Sequence, residues 1–125
     1  MIHIAIKAAS SSLFRQRVGA AVIKNGNVLS TACNAVRYKR GRFIKRWENN
    51  LHAEQAALLM LPPKHRKGSS LYVARLLRDG SINNACPCEV CRDLIINSGV
   101  KEVFYTNERG DVVRWKPSKP SKLSM

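Results

Sequence analysis

Two short clusters of metal-binding residue types constrain this chain of 125 residues more than any other feature. The first is His52-Ala53-Glu54 and the second is Pro87-Cys88-Glu89-Val90-Cys91. A structural zinc site usually has four protein ligands, whereas a catalytic site has three and leaves the fourth position for water. Here His52, Cys88 and Cys91 supply three ligands, and Glu54 is a carboxylate that can move protons beside them. The pattern therefore predicts a hydrolytic zinc centre.

Both clusters lie where helices are predicted to begin. One helix is predicted over residues 51–61, after two asparagines that can cap it and before a Pro-Pro pair that ends it. A second helix is predicted over residues 89–98, closed by Gly99. Cys88 and Cys91 are spaced i, i+3, so both sulfurs project from one side of the first turn. A helix N-terminus and a metal ion both favour the thiolate form.

The remaining elements are read from apolar runs and turn residues. Asn25-Gly26 indicates a hairpin between two apolar strands, because both residues tolerate positive φ. The predicted elements are a helix over 2–12, strands over 17–23, 28–35, 70–75, 102–106 and 111–115, a basic loop over 37–47, a loop over 64–69 and an irregular stretch over 76–85.

The connection between the last two predicted strands decides how the sheet ends. Residues 107–110 are too few for a crossover helix, so the last strand should return antiparallel to its neighbour. We expect an α/β fold with a mixed five-stranded sheet layered with helices, and the metal between two helix starts on one face. Residues 1–115 are predicted to form a single domain. Residues 116–125 are predicted to be a basic, flexible tail.

The two clusters together resemble the H-x-E…P-C-x-x-C signature of the cytidine/deoxycytidylate deaminase superfamily. The likeness covers residues 17–106, and the stretch 91–105 resembles the second catalytic helix and following strand of deoxycytidylate-type members. It implies a three-layer α/β/α fold and one zinc ion per chain. It also implies that Glu54 moves protons while water attacks the ring carbon bearing the amino group. Asn34 and the backbone amide of Ala53 are the substrate contacts that the resemblance implies.

Composition bounds the partners and the compartment. The net charge is +14, and residues 1–47 contain ten Lys and Arg and no acidic residue, which favours polyanionic partners. No apolar run approaches the roughly 18 residues of a membrane span, and no signal-peptide pattern is present. The C-x-x-C beside a helix favours metal binding in a reducing compartment over disulfides. We therefore expect a cytoplasmic protein with no membrane partner.

The segment 37–47 interleaves cations with aromatic residues, a pattern used to bind single-stranded nucleic acid. Arg37, Arg40, Arg42 and Trp47 are its candidate substrate contacts, since the segment lies between the second strand and the first zinc helix. The alternative is that its aromatic residues only anchor a solvated loop.

Four functions remain open at this point. Charge and the basic segment slightly favour deamination of cytosine in single-stranded DNA or RNA. The likeness around residues 88–105 favours free (deoxy)cytidine or its monophosphate, dCMP or CMP. Adenosine deamination in RNA and an inactive, zinc-stabilised nucleic-acid-binding module are the other two. The expected partner is thus a cytosine-containing nucleotide or single-stranded nucleic acid, and a homo-oligomer is expected from the resemblance.

Two residues carry alternatives that bear on the chemistry. Cys86 could close a structural zinc site as a fourth ligand, although a C-P-C start would strain neighbouring ligands and leave Glu54 unexplained. Asn34 could be a turn residue at the end of its strand rather than a substrate contact.

Overall fold

The computed structural model describes residues 1–12, 16–36, 38–39, 42–43 and 50–117, with side chains over 1–12, 16–34 and 52–117. The helices are α1 Ile2–Ala9, α2 Ala53–Leu59, α3 Pro63–Arg66 and α4 Glu89–Ser98. The strands are β1 Arg17–Lys24, β2 Asn27–Cys33, β3 Ala35–Val36, β4 Tyr38–Lys39, β5 Arg42–Phe43, β6 Asn50–Leu51, β7 Ser70–Leu76, β8 Ile82–Asn83, β9 Glu102–Thr106 and β10 Val112–Trp115. A search of the described residues finds no helix that could span a membrane.

One mixed sheet organises the described chain, in the strand order β10-β9-β7-β1-β2, with the short β8 paired to β7. Strands β1 and β2 form the predicted hairpin, and Asn25 and Gly26 at its turn have φ of 53° and 79°. Strand β7 is antiparallel to β1, whereas β9 is parallel to β7. The α4 helix lies between β7 and β9 in the chain, as a parallel connection requires.

The prediction for the last strand is confirmed. Strand β10 pairs antiparallel with β9, from Val112 opposite Thr106 to Trp115 opposite Val103. Gly110, with φ of 83°, allows the tight turn between them.

The two faces of the sheet carry different helices. Gly19 in β1 faces α1 so closely that a Cβ atom there would lie 2.1 Å from the Ala5 carbonyl oxygen. Only glycine therefore permits this approach of helix and strand. The opposite face packs against α2 and α4 through the main apolar cluster: Ala20, Val22, Ala53, Ala57, Leu58, Leu71, Val73, Ala85, Ile95, Val100 and Val103. Two helical layers thus enclose the sheet, and the predicted α/β/α architecture is confirmed.

Several predicted boundaries were wrong. Helix α1 ends at Ala9 rather than at residue 12, and the Ser10 hydroxyl donates a hydrogen bond back to the Lys7 carbonyl oxygen at 2.5 Å. Helix α2 begins at Ala53 rather than at residue 51 and ends at Leu59. The second strand spans Asn27–Cys33 rather than residues 28–35.

Two stretches predicted to be irregular contain regular structure. Residues 64–69 were predicted to be a loop, but Pro63–Arg66 form the short helix α3. Proline suits the first position of a helix, because the backbone N–H that it lacks would have no helical partner there. The Arg66 Nε of α3 then donates to the carbonyl oxygens of Leu58 and Leu61, both at 2.8 Å, and so caps the end of α2. The stretch 76–85 contains β8, which pairs antiparallel with the end of β7 and adds a sixth strand to the predicted five.

The predicted basic loop and tail fall largely outside the described residues. Within 37–47 only the backbone of β4 and β5 is described, where Tyr38 pairs with Phe43 and Lys39 with Arg42. Of the predicted tail, residues 116–125, only Lys116 and Pro117 are described.

Candidate metal centre and active site

The three predicted zinc ligands stand at the starts of two helices. His52 is the residue that precedes α2, and Cys88 is the residue that precedes α4, with Cys91 one turn further along. The Gln55 side-chain oxygen accepts a hydrogen bond from the His52 backbone N–H at 3.0 Å. This contact fixes the helix start while the imidazole faces the thiols.

The donor atoms of these residues converge. His52 Nδ1 lies 3.2 Å from Cys91 Sγ and 3.6 Å from Cys88 Sγ. All three potential donor atoms lie within 4.8 Å of one another. Zn–N and Zn–S bonds of about 2.0 and 2.3 Å in tetrahedral geometry place nitrogen and sulfur about 3.5 Å apart. The spacing therefore fits one zinc ion held through Nδ1 and two sulfurs.

The chemistry of the donor set agrees with a cation. Burial raises the pKa of the fully buried Cys91 thiol, and the Glu54 carboxylate and the Cys88 thiol raise it further. A thiol in such surroundings needs a positive ion to become a thiolate, and the thiolate is the metal ligand.

Cys86 does not complete a fourth ligand. The cluster of potential metal ligands in the described ranges consists of His52, Cys88 and Cys91 alone. The Cys86 thiol instead accepts a hydrogen bond from Arg92 Nη2 at 3.1 Å. Three protein donors rather than four are typical of a catalytic zinc site.

Glu54 is buried beside the ligands, with 5% of its surface exposed. Burial raises the pKa of its carboxyl group, whereas its own backbone amide, the charge of His52 and the Cys91 thiol lower it. A carboxyl group with a raised pKa can take up and release protons closer to neutral pH, which suits general acid–base work.

A cavity of about 340 Å3 opens beside these groups. It is lined by Gln16, Val18, Asn34, His52, Ala53, Glu54, Arg75, Asn84, Ala85, Cys86 and Cys88. This volume lies at the lower end of the range for small-molecule sites, about 300 to 1,000 Å3.

Comparison with known families supports the assignment of this site as a zinc centre. The family model described as the cytidine and deoxycytidylate deaminase zinc-binding region matches residues 1–107. The chain belongs to this deaminase family. A comparison with curated protein sequences finds no match.

Solved structures of deaminases are similar to this one. A cytidine deaminase from Burkholderia pseudomallei has a TM-score of 0.69 and 26% identity, over 93% of this chain and 89% of that chain. The dCMP deaminase of cyanophage S-TIM5, in complex with dCMP and dUMP, has a TM-score of 0.64 and 28% identity, over 86% of this chain and 78% of that chain. The Glu-to-Gln variant of a Mycobacterium tuberculosis cytidine deaminase has a TM-score of 0.56 and 26% identity, over 86% and 82%. With the donor set, these findings identify a zinc-dependent hydrolytic deaminase.

Asn34 lies at the end of β2 beside the cavity, and its role as a substrate contact stays a prediction. It lines the cavity, and its side-chain oxygen accepts a hydrogen bond from the Val18 N–H at 2.9 Å. Its Nδ2 donates to the Gln16 carbonyl oxygen, also at 2.9 Å. These bonds hold the end of β2 against β1, yet the carboxamide still has a second N–H and a second lone pair for a ligand.

The other predicted substrate contacts divide into two groups. Ala53 lines the cavity at the first position of α2. Arg37, Arg40 and Trp47 lie outside the described residues, and Arg42 is described only in its backbone.

Sequence reasoning missed Arg75 and Asn84, which also line the cavity. Arg75 follows Leu71 and Val73 at two-residue intervals in β7, so its side chain lies on the face that carries the zinc site. The sequence signal for Arg75 was a cation that follows two apolar residues, Leu71 and Val73, on the same face of the strand. Asn84 could not be found this way, because its place depends on the pairing of β8 with β7.

Proposed function

We propose that this deaminase converts cytosine to uracil in a free nucleoside or nucleotide. The observation that carries the proposal is the set of three zinc donors with a buried Glu54 at one cavity. The cavity has the size for one small ligand rather than for a long one. The similar solved structures are named as cytidine deaminases and a dCMP deaminase, which supports the same choice of base and substrate size.

Each residue of the site has a separate role in the proposed reaction. His52, Cys88 and Cys91 would hold the zinc ion, which when bound acts as a Lewis acid toward water. The Glu54 carboxylate accepts a proton from the attacking water and passes it to the ring nitrogen next to the reacting carbon. The Glu54 carboxyl group then carries the second proton of that water to the exocyclic amine, the carbon–nitrogen bond breaks, ammonia leaves, and the water oxygen becomes the new carbonyl oxygen of uracil. Asn34 and the Ala53 backbone amide would orient the nucleoside.

Single-stranded DNA or RNA is the second candidate substrate. The net charge of +14, with the acid-free first 47 residues, favours it because polyanion binding scales with the number of cations. The segment 37–47 would supply the contacts through Arg37, Arg40, Arg42 and Trp47. Adenosine in RNA is supported by the shared catalytic residues alone.

A substrate panel separates these candidates. Ammonia release is measured with the wild-type protein on deoxycytidine, cytidine, dCMP, CMP, adenosine and a single-stranded oligonucleotide with one cytosine. We expect at least one free cytosine nucleoside or nucleotide to be the best substrate. Turnover confined to the oligonucleotide, with a steep loss at higher salt, would replace the first proposal by the second.

A further inference from the structure

Arg75 is a cationic residue in the active-site cavity whose hydrogen-bonding capacity is largely unused. It pairs with Val18 of the neighbouring strand and lines the cavity with His52 and Glu54. Its Nε is buried and has no hydrogen-bond partner in the described part of the chain. The Arg75 Nη1 makes one long contact, 3.4 Å, to the Asn84 carbonyl oxygen. A guanidinium group has five N–H donors, so most of them remain for a ligand.

The backbone of Arg75 is held in place. The Thr106 hydroxyl group, which is 1% exposed, accepts a hydrogen bond from the Arg75 N–H at 3.3 Å and donates one to the Asn83 carbonyl oxygen at 2.8 Å. Asn83 in turn lies opposite Arg75 in the β7–β8 ladder. These hydrogen bonds join the ends of β7, β8 and β9 and fix the backbone position from which the Arg75 side chain enters the cavity.

The charge of the guanidinium group is not neutralised within the described ranges, where Arg75 forms no ion pair. Glu54 is the acidic residue among the described residues that line the cavity, and it is required for proton transfer in the proposed function. A buried polar group without a partner is costly, so an incoming ligand that supplies an acceptor gains binding free energy. Cytosine and the sugar are uncharged, whereas the planar guanidinium fork matches the oxygens of a phosphate group.

We propose that Arg75 binds the phosphate on the 5′ side of the target cytosine, so that the enzyme prefers a phosphorylated substrate to the corresponding nucleoside. This inference rests on the proposed function for its substrate. The phosphate can belong to a mononucleotide or to a polynucleotide, and the two sources share this contact. Because the cavity is small, dCMP or CMP is the substrate class we favour.

The test compares substrates that differ only by this phosphate. kcat/KM is measured for dCMP and deoxycytidine with the wild type, Arg75→Gln, Arg75→Lys and Arg109→Gln. Arg109 is an exposed arginine in the turn before β10, so its variant changes net charge equally without touching the cavity. Arg75→Gln should lower the preference for dCMP over deoxycytidine by about 10- to 100-fold, the range for one hydrogen bond to a charged group. Arg75→Lys should keep part of the preference, and Arg109→Gln should keep all of it.

Two results would overturn the proposal. One is a dCMP preference in Arg75→Gln within two-fold of the wild type. The other is an equal loss on both substrates, which would assign Arg75 to the base, the sugar or the fold. If Arg75→Gln does not fold, Arg75→Lys carries the test through competitive inhibition by inorganic phosphate of deoxycytidine turnover. We expect weaker inhibition in the lysine variant, and unchanged inhibition would count against the contact.

Product binding separates this inference from the proposed function. Calorimetry of dUMP and deoxyuridine with the wild type and Arg75→Gln needs no turnover. A wild type that releases no ammonia but binds dUMP more tightly than deoxyuridine, and loses that difference in Arg75→Gln, would refute the reaction and support the phosphate contact. Parallel assays of the same variants on a single-stranded oligonucleotide show whether the phosphate belongs to a mononucleotide or to a chain.

Discussion

Two cavities in the described part of the deaminase both have Cys86 in their linings, and they differ in how their arginines are used. In the zinc-side cavity, of about 340 Å3, Arg75 keeps a buried Nε without a partner in the described chain. In the second cavity, of about 270 Å3, Arg92 donates to the Pro87 carbonyl oxygen and the Cys86 thiol, both at 3.1 Å. The Arg92 guanidinium also lies 5.9 Å from the centre of the Trp115 ring.

The other arginine of the second cavity is engaged as well. Arg114 Nε and Nη2 both lie 2.8 Å from the same Glu102 carboxylate oxygen. Cations whose donors already have protein partners stabilise the protein, whereas a cation with unused donors in a cavity is available to a ligand. The comparison thus favours the zinc-side cavity as the proposed binding site, whereas the contacts of Arg92 in the second cavity connect α4 with Trp115 of β10.

The largest predicted effect on zinc content and activity distinguishes the Cys88 thiol, a zinc ligand, from the Cys86 thiol, which lines both cavities. Cys88→Ser should lose zinc and lower activity by more than the roughly 100-fold caused by changes to partners of metal ligands. Cys86→Ser is the matched control, two residues away, and should retain one zinc ion per chain and most of its activity. Metal content of the purified protein and ammonia release check both variants. Equal zinc loss in the two would mean that Cys86 is a ligand and that the centre is structural.

A smaller effect should distinguish the two arginines. Arg92→Gln removes two hydrogen bonds and a cation–π contact at an exposed position, so we expect a loss of about 1 kcal/mol in the free energy of unfolding. For a chain of 125 residues that corresponds to a fall in Tm of about 4 °C. The ratio of dCMP to deoxycytidine turnover should stay unchanged, in contrast to Arg75→Gln. A changed ratio with an unchanged Tm would make the second cavity part of the substrate site.

Each half of the metal centre could be predicted from the sequence because the spacing within each cluster is local, and the resemblance to the deaminase signature implied that the two halves meet. The i, i+3 spacing of Cys88 and Cys91 places both at the start of one helix, and His52 and Glu54 lie within one turn of another. The hairpin at Asn25-Gly26 and the antiparallel β10 were also predictable, since turn residues and loop length decide them locally.

The surroundings of the centre could not be predicted with the same success. Asn84 lines the cavity because β8 folds back onto β7, a tertiary pairing that two residues in a turn-rich stretch do not indicate. The helix α3 was missed because its four residues are stabilised by the Arg66 bonds to α2 rather than by their own pattern.

The central claim is that Glu54 moves the protons of a hydrolytic deamination at a three-ligand zinc centre. The most direct test is ammonia release from dCMP and deoxycytidine by Glu54→Gln, with zinc content and Tm measured on the same samples. Glu89→Gln is the matched control, because Glu89 is an exposed glutamate in the first turn of the other zinc helix. We predict that Glu54→Gln retains its zinc ion and loses about 10²- to 10⁴-fold in kcat, whereas Glu89→Gln stays within two-fold of the wild type. A folded, zinc-loaded Glu54→Gln protein with wild-type turnover would contradict the account.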